Sequence, residues 1–240
     1  MKIVQFIGAS DKTDFLLYIC KLIASNGHKV LLVDATLLQD YEFAFPRVEG
    51  DLQVHEYDDF DVIHGCGSAA DVQNYFMQKE ADFNYEYMII DSNNSLHVDG
   101  WEADRLILYN TMENIHNIRN LGILDQYFSK YVKDELVLVS KIMNGVVCSI
   151  NEEYIDSLYD GYPIQWDEPT HYLIPDERDY AIKIDNQYRS VIQLKGLTRT
   201  YRKALIGVLK MILELPDKEV HRIWKKAGKV RKYGTSRILG

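Results

Sequence analysis

The stretch KIVQFIGASDKTDFLLYICKLIASNGHKVLLVD, residues 2–34, places two continuous apolar runs on either side of one amphipathic segment. The first run, KIVQFI (2–7), is ended by Gly8 and suits a buried strand. Between Lys12 and Asn26, Phe15, Leu16, Ile19, Leu22 and Ile23 recur at spacings of three and four, one face of a helix that Gly27 stops. The second run, KVLLVD (29–34), closes a strand–helix–strand unit, whose right-handed crossover makes its two strands parallel.

The pattern continues downstream. YEYMIID (85–91), RLILYN (105–110) and ELVLVSKI (135–142) read as further buried strands, with helical segments over 69–82 and about 113–131. HYLIP (171–175) adds a last strand, and LTRTYRKALIGVLKMIL (197–213) reads as a helix stopped by Pro216. Between 36 and 67 only DLQVHEY and FDVIHG look like short strands. The expectation is an α/β fold, a doubly wound, mostly parallel sheet flanked by helices. It forms one domain over 1–216, followed by a basic tail over 217–240.

Composition narrows the function classes. With 47% hydrophobic and 26% charged residues in 240, the chain can close a core and is not of disordered type. No apolar run reaches the ~18 residues of a membrane span, and MKIVQFIG enters a helix pattern without a small-residue cleavage site. A cytoplasmic location is expected, with Cys20, Cys66 and Cys148 as packed thiols. The net charge of −9 is uneven: from Asp217 onward eight Lys/Arg meet two carboxylates, leaving the tail at +6 and the rest at −15.

In open parallel sheets ligands bind beyond the carboxyl ends of the strands, which directs attention to the turn Gly8-Ala9-Ser10-Asp11-Lys12-Thr13-Asp14. A phosphate loop needs backbone N–H groups free to close on the phosphates, a lysine for their oxygens and a hydroxyl for Mg²⁺. Lys12 and Thr13 meet the last two needs. Asp11 stands where a glycine belongs; two like charges ~4 Å apart at an effective dielectric of ~20 repel by roughly 4 kcal/mol, enough to threaten ATP binding.

The joint spacing resembles the MinD/ParA family of deviant Walker A ATPases, which includes the CpaE/TadZ-type proteins that position pili. The interval of 22 residues from Lys12 to Asp34, the phrase SNGHKVLLVD, YEYMIIDSNNS with Asp91, ADRLILYNTMENIHNIRN and LIPDERDYAIKIDNQ all fall on that family's pattern, over roughly residues 1–215. The resemblance implies ATP or ADP held by residues 8–14, with Pro175 and Asp176 near the base, Thr13 and Asp91 on the Mg²⁺ side, and Asp34 as the catalytic carboxylate. Against the pattern K-G-G-x-G-K-T-T the signature lysine falls at Ile7, and Ala9, Asp11 and Asp14 replace two glycines and a threonine. The D-x-D after the second strand is Asp34-Ala35-Thr36, and the Asn-Arg pair after the fifth strand is Ser140-Lys141. Phosphoryl transfer rests on positioning and electrostatic stabilisation, so these losses imply a degenerate pseudo-ATPase, a positioning or recruitment scaffold in an envelope, pilus or secretion machine. The alternative is an active ATP-dependent dimerisation switch, DNA partitioning included.

Three further features are weighed on the residues alone. His55, His64 and Cys66 lie among aspartates but at no zinc-site spacing, so a solvated acidic loop is expected. For Lys12 and Thr13 the plain alternative is an ordinary helix start with Asp11 or Ser10 as N-cap and Lys12 solvated. The tail 218–240 carries Trp224 and Ile223 among its cations, open to three readings: contact with anionic membrane, non-specific DNA binding, or packing of Trp224 on the body. Homodimerisation follows from the resemblance alone.

Overall fold

The computed structural model describes residues 1–46, 53–130 and 136–228. Its strands are β1 (Lys2–Ile7), β2 (Val30–Asp34), β3 (Val54–Tyr57), β4 (Phe60–His64), β5 (Tyr87–Ser92), β6 (Arg105–Thr111), β7 (Val137–Asn144) and β8 (Ile164–Leu173). Helices are α1 (Thr13–Ser25), α2 (Ala69–Gln78), α3 (Asn114–Phe128), α4 (Glu152–Ser157), α5 (Glu177–Gln187), α6 (Arg199–Leu213) and α7 (Asp217–Ala227), with a 3-10 turn at Asp40–Phe43. Together the strands make one sheet in the order β3-β4-β2-β5-β1-β6-β7-β8, parallel except for the β3–β4 pair. The chain leaves β1 toward β2 on one side and later crosses from β5 to β6 on the other. The order therefore reverses at the carboxyl end of β1, where a crevice opens.

Successive side chains of a strand point to opposite faces, and both faces here are covered. Val30 and Leu32 face the layer of α1, α6 and α7, while Leu31 and Val33 face α2. Beyond β1 the second face is covered by α3 and the segment around α4, which pack Ile123, Leu124, Tyr127, Ile155 and Tyr159 on Leu106, Leu108 and Val139. Double coverage explains the unbroken apolar runs of the central strands. Each fully buried Leu or Ile contributes about 1.5–3 kcal/mol. On the α6 side the approach is close: a Cβ added at Gly207 would meet the His171 ring of β8 at 2.7 Å.

The structure departs from the sequence reading where apolar periodicity is weak. The last strand is not confined to 171–175 but runs Ile164–Leu173, because IQWDEPT is polar enough to hide an edge strand. Helix α5, mostly charged or polar, has no apolar period to announce it; Asp176 caps it by accepting from the Arg178 N–H at 2.9 Å. Pro216 ends nothing by itself: Glu214 turns left-handed at the end of α6, and α7 begins directly after Pro216. Helix α7 forms the first half of the segment read as a basic tail. Its Val220, Ile223 and Ala227 are buried in the α1–α6 layer, and the Arg202 guanidinium lies 4.9 Å from the centre of the Trp224 ring. Residues 229–240 lie outside the described residues. Cys20 and Cys66 are buried as expected, but Cys148 is exposed, being placed in the loop after β7.

The two ends of the sheet are unlike the middle. β3 is four residues long, and β8 carries Pro169, which has no N–H to offer, on an edge strand.

Candidate functional site

The crevice at the end of β1 is built by the loop Gly8–Lys12 and the first turn of α1. Gly8 has φ +145°, and a Cβ there would lie 2.2 Å from the Tyr109 carbonyl oxygen, so only glycine fits between β1 and β6. Two N–H groups of this stretch are already occupied from within. Ala9 N–H donates to Asn120 Oδ1 at 2.7 Å, and Thr13 N–H donates to Asp11 Oδ1 at 2.9 Å. Asp11 thus closes the turn that leads into α1, but the N-cap position is Lys12, which has no side-chain cap bond, and Lys12 is buried rather than solvated, against the plain alternative.

Lys12 is 1% exposed. Its Nζ donates to the Gly8 carbonyl at 2.9 Å and pairs with Asp91 Oδ1 at 2.5 Å. Asp91 stands beside Asp34, because β5 and β2 place them in register at their carboxyl ends. Burial raises the Asp91 carboxyl above its ordinary range, and the Lys12 ammonium pulls it back. Its other oxygen accepts from the Tyr41 hydroxyl at 2.8 Å. Asp34 accepts from Thr36 N–H at 3.0 Å, Thr36 Oγ1 at 2.5 Å and Tyr41 N–H at 3.0 Å. Burial pushes its carboxyl up to about 6, the bonds from Thr36 and Tyr41 opposing.

Asp11 carries a negative charge into the loop as read from sequence, but that charge is not left facing a ligand. Lys183 of α5 pairs with Asp11 at 2.5 Å and reaches Asp14 at 3.5 Å. Burial pushes Asp11 up, yet Lys183 and the bonds to Thr13 outweigh it and hold the carboxyl below its usual range. Asp14 also accepts from the Tyr201 hydroxyl at 2.7 Å. Sequence reasoning missed both Lys183 and Tyr41. Nothing in a charged helix singles out one lysine far along the chain, and Tyr41 lies in a stretch without period.

A cavity of about 550 Å³ opens beside the loop, lined by Ser10, Asp11, Asp14, Pro175, Asp176 and Lys183 among others. The cavity places Ser10, Asp11 and Asp14 beside Pro175 and Asp176, whereas Gly8, Ala9, Lys12 and Thr13 do not line it. Asp176 itself is drawn down to about 2 by its bonds with Arg178. Ser140 and Lys141 turn elsewhere: Ser140 Oγ donates to Asp167, and Lys141 is held by Glu152 at 2.6 Å and Asp156 at 2.7 Å. His55 and His64 stack with ring centres 5.5 Å apart across β3–β4, and no group of three metal-binding side chains occurs among the described residues.

The donor set does not fit a magnesium–triphosphate in this arrangement. Asp91, expected on the metal side, and Asp34, expected as the catalytic carboxylate, are both engaged by protein partners, two backbone donors near the phosphate position are taken, and the lysine is paired with Asp91.

No protein-family model and no curated protein matches the chain. Solved structures do match in shape. A ParA family ATPase from Chlorobium tepidum superposes with a TM-score of 0.59 at 17% identity, covering 88% of this chain and 98% of that one. The MinD cell division protein of Aquifex aeolicus gives 0.57 at 12% identity, over 90% and 98%. An ATP complex of McdA from Cyanothece gives 0.55 at 16% identity, over 90% and 97%. The fold of this chain is that of ParA and MinD, a phosphate-loop NTPase fold.

Proposed function

On a ParA/MinD fold whose phosphate loop is closed on itself, we propose a pseudo-ATPase that works as a positioning or recruitment scaffold, engaging protein partners of an envelope or pilus machine without a nucleotide cycle. The observation that carries this reading is the Asp11–Lys183 pair. A lysine of the chain itself neutralises the loop at the point where an ATPase would place a phosphate, and Asp11 fills the position that glycine leaves open in a working loop. The Lys12–Asp91–Tyr41–Asp34 network adds to it, since its lysine and both carboxylates are engaged within the chain.

A second reading is favoured by one observation: Lys12, Asp34 and Asp91 still converge at the end of β1, as an ATP-dependent dimerisation switch would need. Calorimetric titration with Mg·ATP and Mg·ADP separates the two. The scaffold reading expects no heat up to millimolar nucleotide from the natural chain. It also expects affinity to appear when Asp11→Gly and Lys183→Met are combined, because one change removes the intruding carboxylate and the other its partner. Micromolar binding by the unaltered chain overturns it. Residues 218–240 supply a second contact in this proposal, an electrostatic one to an anionic surface, membrane or DNA.

A further inference from the structure

A second cavity, of about 1150 Å³, lies between the edge strand β8 and α6. Helix α6 runs against the strands: Tyr201 near its start bonds Asp14 beside the end of β1, and the Ile212 carbonyl near its close accepts from Lys2 at the start of β1. From Thr200 to Met211 its residues supply one wall, about 16 Å long at ~1.5 Å per residue, and β8 supplies the other from Asp167 to Tyr172. No residue lining this groove lines the cavity beside the phosphate loop. Ligand sites are commonly apolar clefts of about 300–1,000 Å³ with a few placed polar groups.

Ala204, Ile206, Gly207 and Met211 give the helix wall an apolar run, which Leu215 and Pro216 continue. Most polar groups around it are already engaged. Lys210 pairs with Asp217 at 2.7 Å, Glu214 pairs with Lys2 at 2.6 Å, and His221 Nδ1 donates to the Asp217 carbonyl at 2.7 Å. Burial lowers the His171 imidazole, so at pH 7 the ring is neutral and adds no charge. Lys203 and Glu168 are exposed and answer to water. Arg105 is the exception. Its Nη1 donates to Asp167 Oδ2 at 2.9 Å and to Ser140 Oγ at 3.3 Å, while its Nε–H is buried without a partner among the described residues. A guanidinium carries five N–H donors in a fixed fork, so this one keeps bonding capacity beyond Nη1. The groove thus offers one cationic end and one apolar run.

We infer that this groove binds a fatty acid, with the carboxylate on the open side of the Arg105 guanidinium and the chain along Met211, Gly207 and Ile206. The guanidinium fork matches a planar carboxylate, and the apolar wall takes the methylenes out of water. A dianionic phosphate head fits less well, because Asp167 is already 2.9 Å from the guanidinium and Glu214 is near enough to feel its charge. The inference goes beyond the scaffold reading and does not depend on it.

The test uses the full chain and dansyl-undecanoate, kept below micelle-forming concentrations. Its emission should rise and move to the blue on binding, and dodecanoate should displace it at least about tenfold more effectively than dodecyltrimethylammonium, which has the same tail and the opposite charge. Arg105→Gln should weaken binding by about tenfold or more, and so should Ile206→Asp with Met211→Asp, which puts charge on the apolar wall. Lys79→Gln, an exposed cation at the end of α2 on the other face of the sheet, should change it by less than about twofold. Melting curves confirm that each variant is folded; if Arg105→Gln is not, the Ile206/Met211 pair decides. No dansyl signal, equal displacement by the cationic amphiphile, no loss from the groove variants or equal loss from Lys79→Gln overturns the inference. So does a concentration-dependent dimer that Met211→Asp abolishes in sedimentation, which would give the groove to a second copy. Mg·ATP should leave the dansyl signal unchanged, and displacement by it would place the probe in the other cavity and overturn the assignment. Nucleotide binding without such displacement ends the scaffold reading alone.

Discussion

Lys12 and Asp91 are both shut away from solvent, 1% exposed each, so neither can be altered without stranding the other. Breaking a buried ion pair by removing one partner costs about 3–5 kcal/mol, because an uncompensated charge stays behind. Asp91→Asn should therefore lower unfolding stability at pH 7 by that amount in urea titrations. Replacing both partners, Lys12→Met with Asp91→Leu, should recover much of the loss. Asp34 gives a pH signature of definite sign. Its folded carboxyl titrates near 6, above the ~3.9 of an unfolded aspartate, so folding favours its protonated form. Its contribution is fully present below about pH 4 and is lost as the pH rises through 6, on the order of 2–3 kcal/mol. Urea midpoints measured from pH 4 to 7 should show this fall, and Asp34→Asn should remove that part of the slope. At this scale part of the site was legible, since Gly8, Asp34 and Asp91 each sit where an apolar run ends and Lys12 and Thr13 open the helix that follows the first. The partners Tyr41, Asn120 and Lys183 were not, because a tertiary hydrogen bond leaves no local pattern.

Helices and strands were legible in proportion to their burial on two faces. β1, β2 and β5 are apolar throughout because the sheet is covered above and below, and their boundaries come within a few residues of the reading. β8 has one neighbour and solvent beyond it, so most of its residues answer to water and its apolar signal reduces to Tyr172–Leu173 and the ends. Helix α7 shows the opposite error. Its apolar positions Val220, Ile223, Trp224 and Ala227 have helical spacing, but the surrounding cations draw attention to charge. Ile223 is 2% exposed, and Ile223→Ala should cost about 2–5 kcal/mol. Ending the chain after residue 216 removes the buried Val220, Ile223 and Ala227 and should lower the melting temperature by several degrees.

Over the whole molecule, the doubly wound, mostly parallel sheet follows from the alternation of strands and helices, which pointed to the turn after the first strand as the place for a ligand site. The order of the outer strands could not be read, because the β2–β4 region has no clean period and β3 runs against its neighbour. A broad sheet would offer its two outer strands as templates for further strands, the route by which many α/β proteins form fibres. Here one end is a four-residue strand and the other is interrupted by Pro169, so neither presents a long unbroken ladder. Crowded samples of this protein should then thicken by reversible clustering that dilution undoes, and should leave amyloid-binding dyes dark.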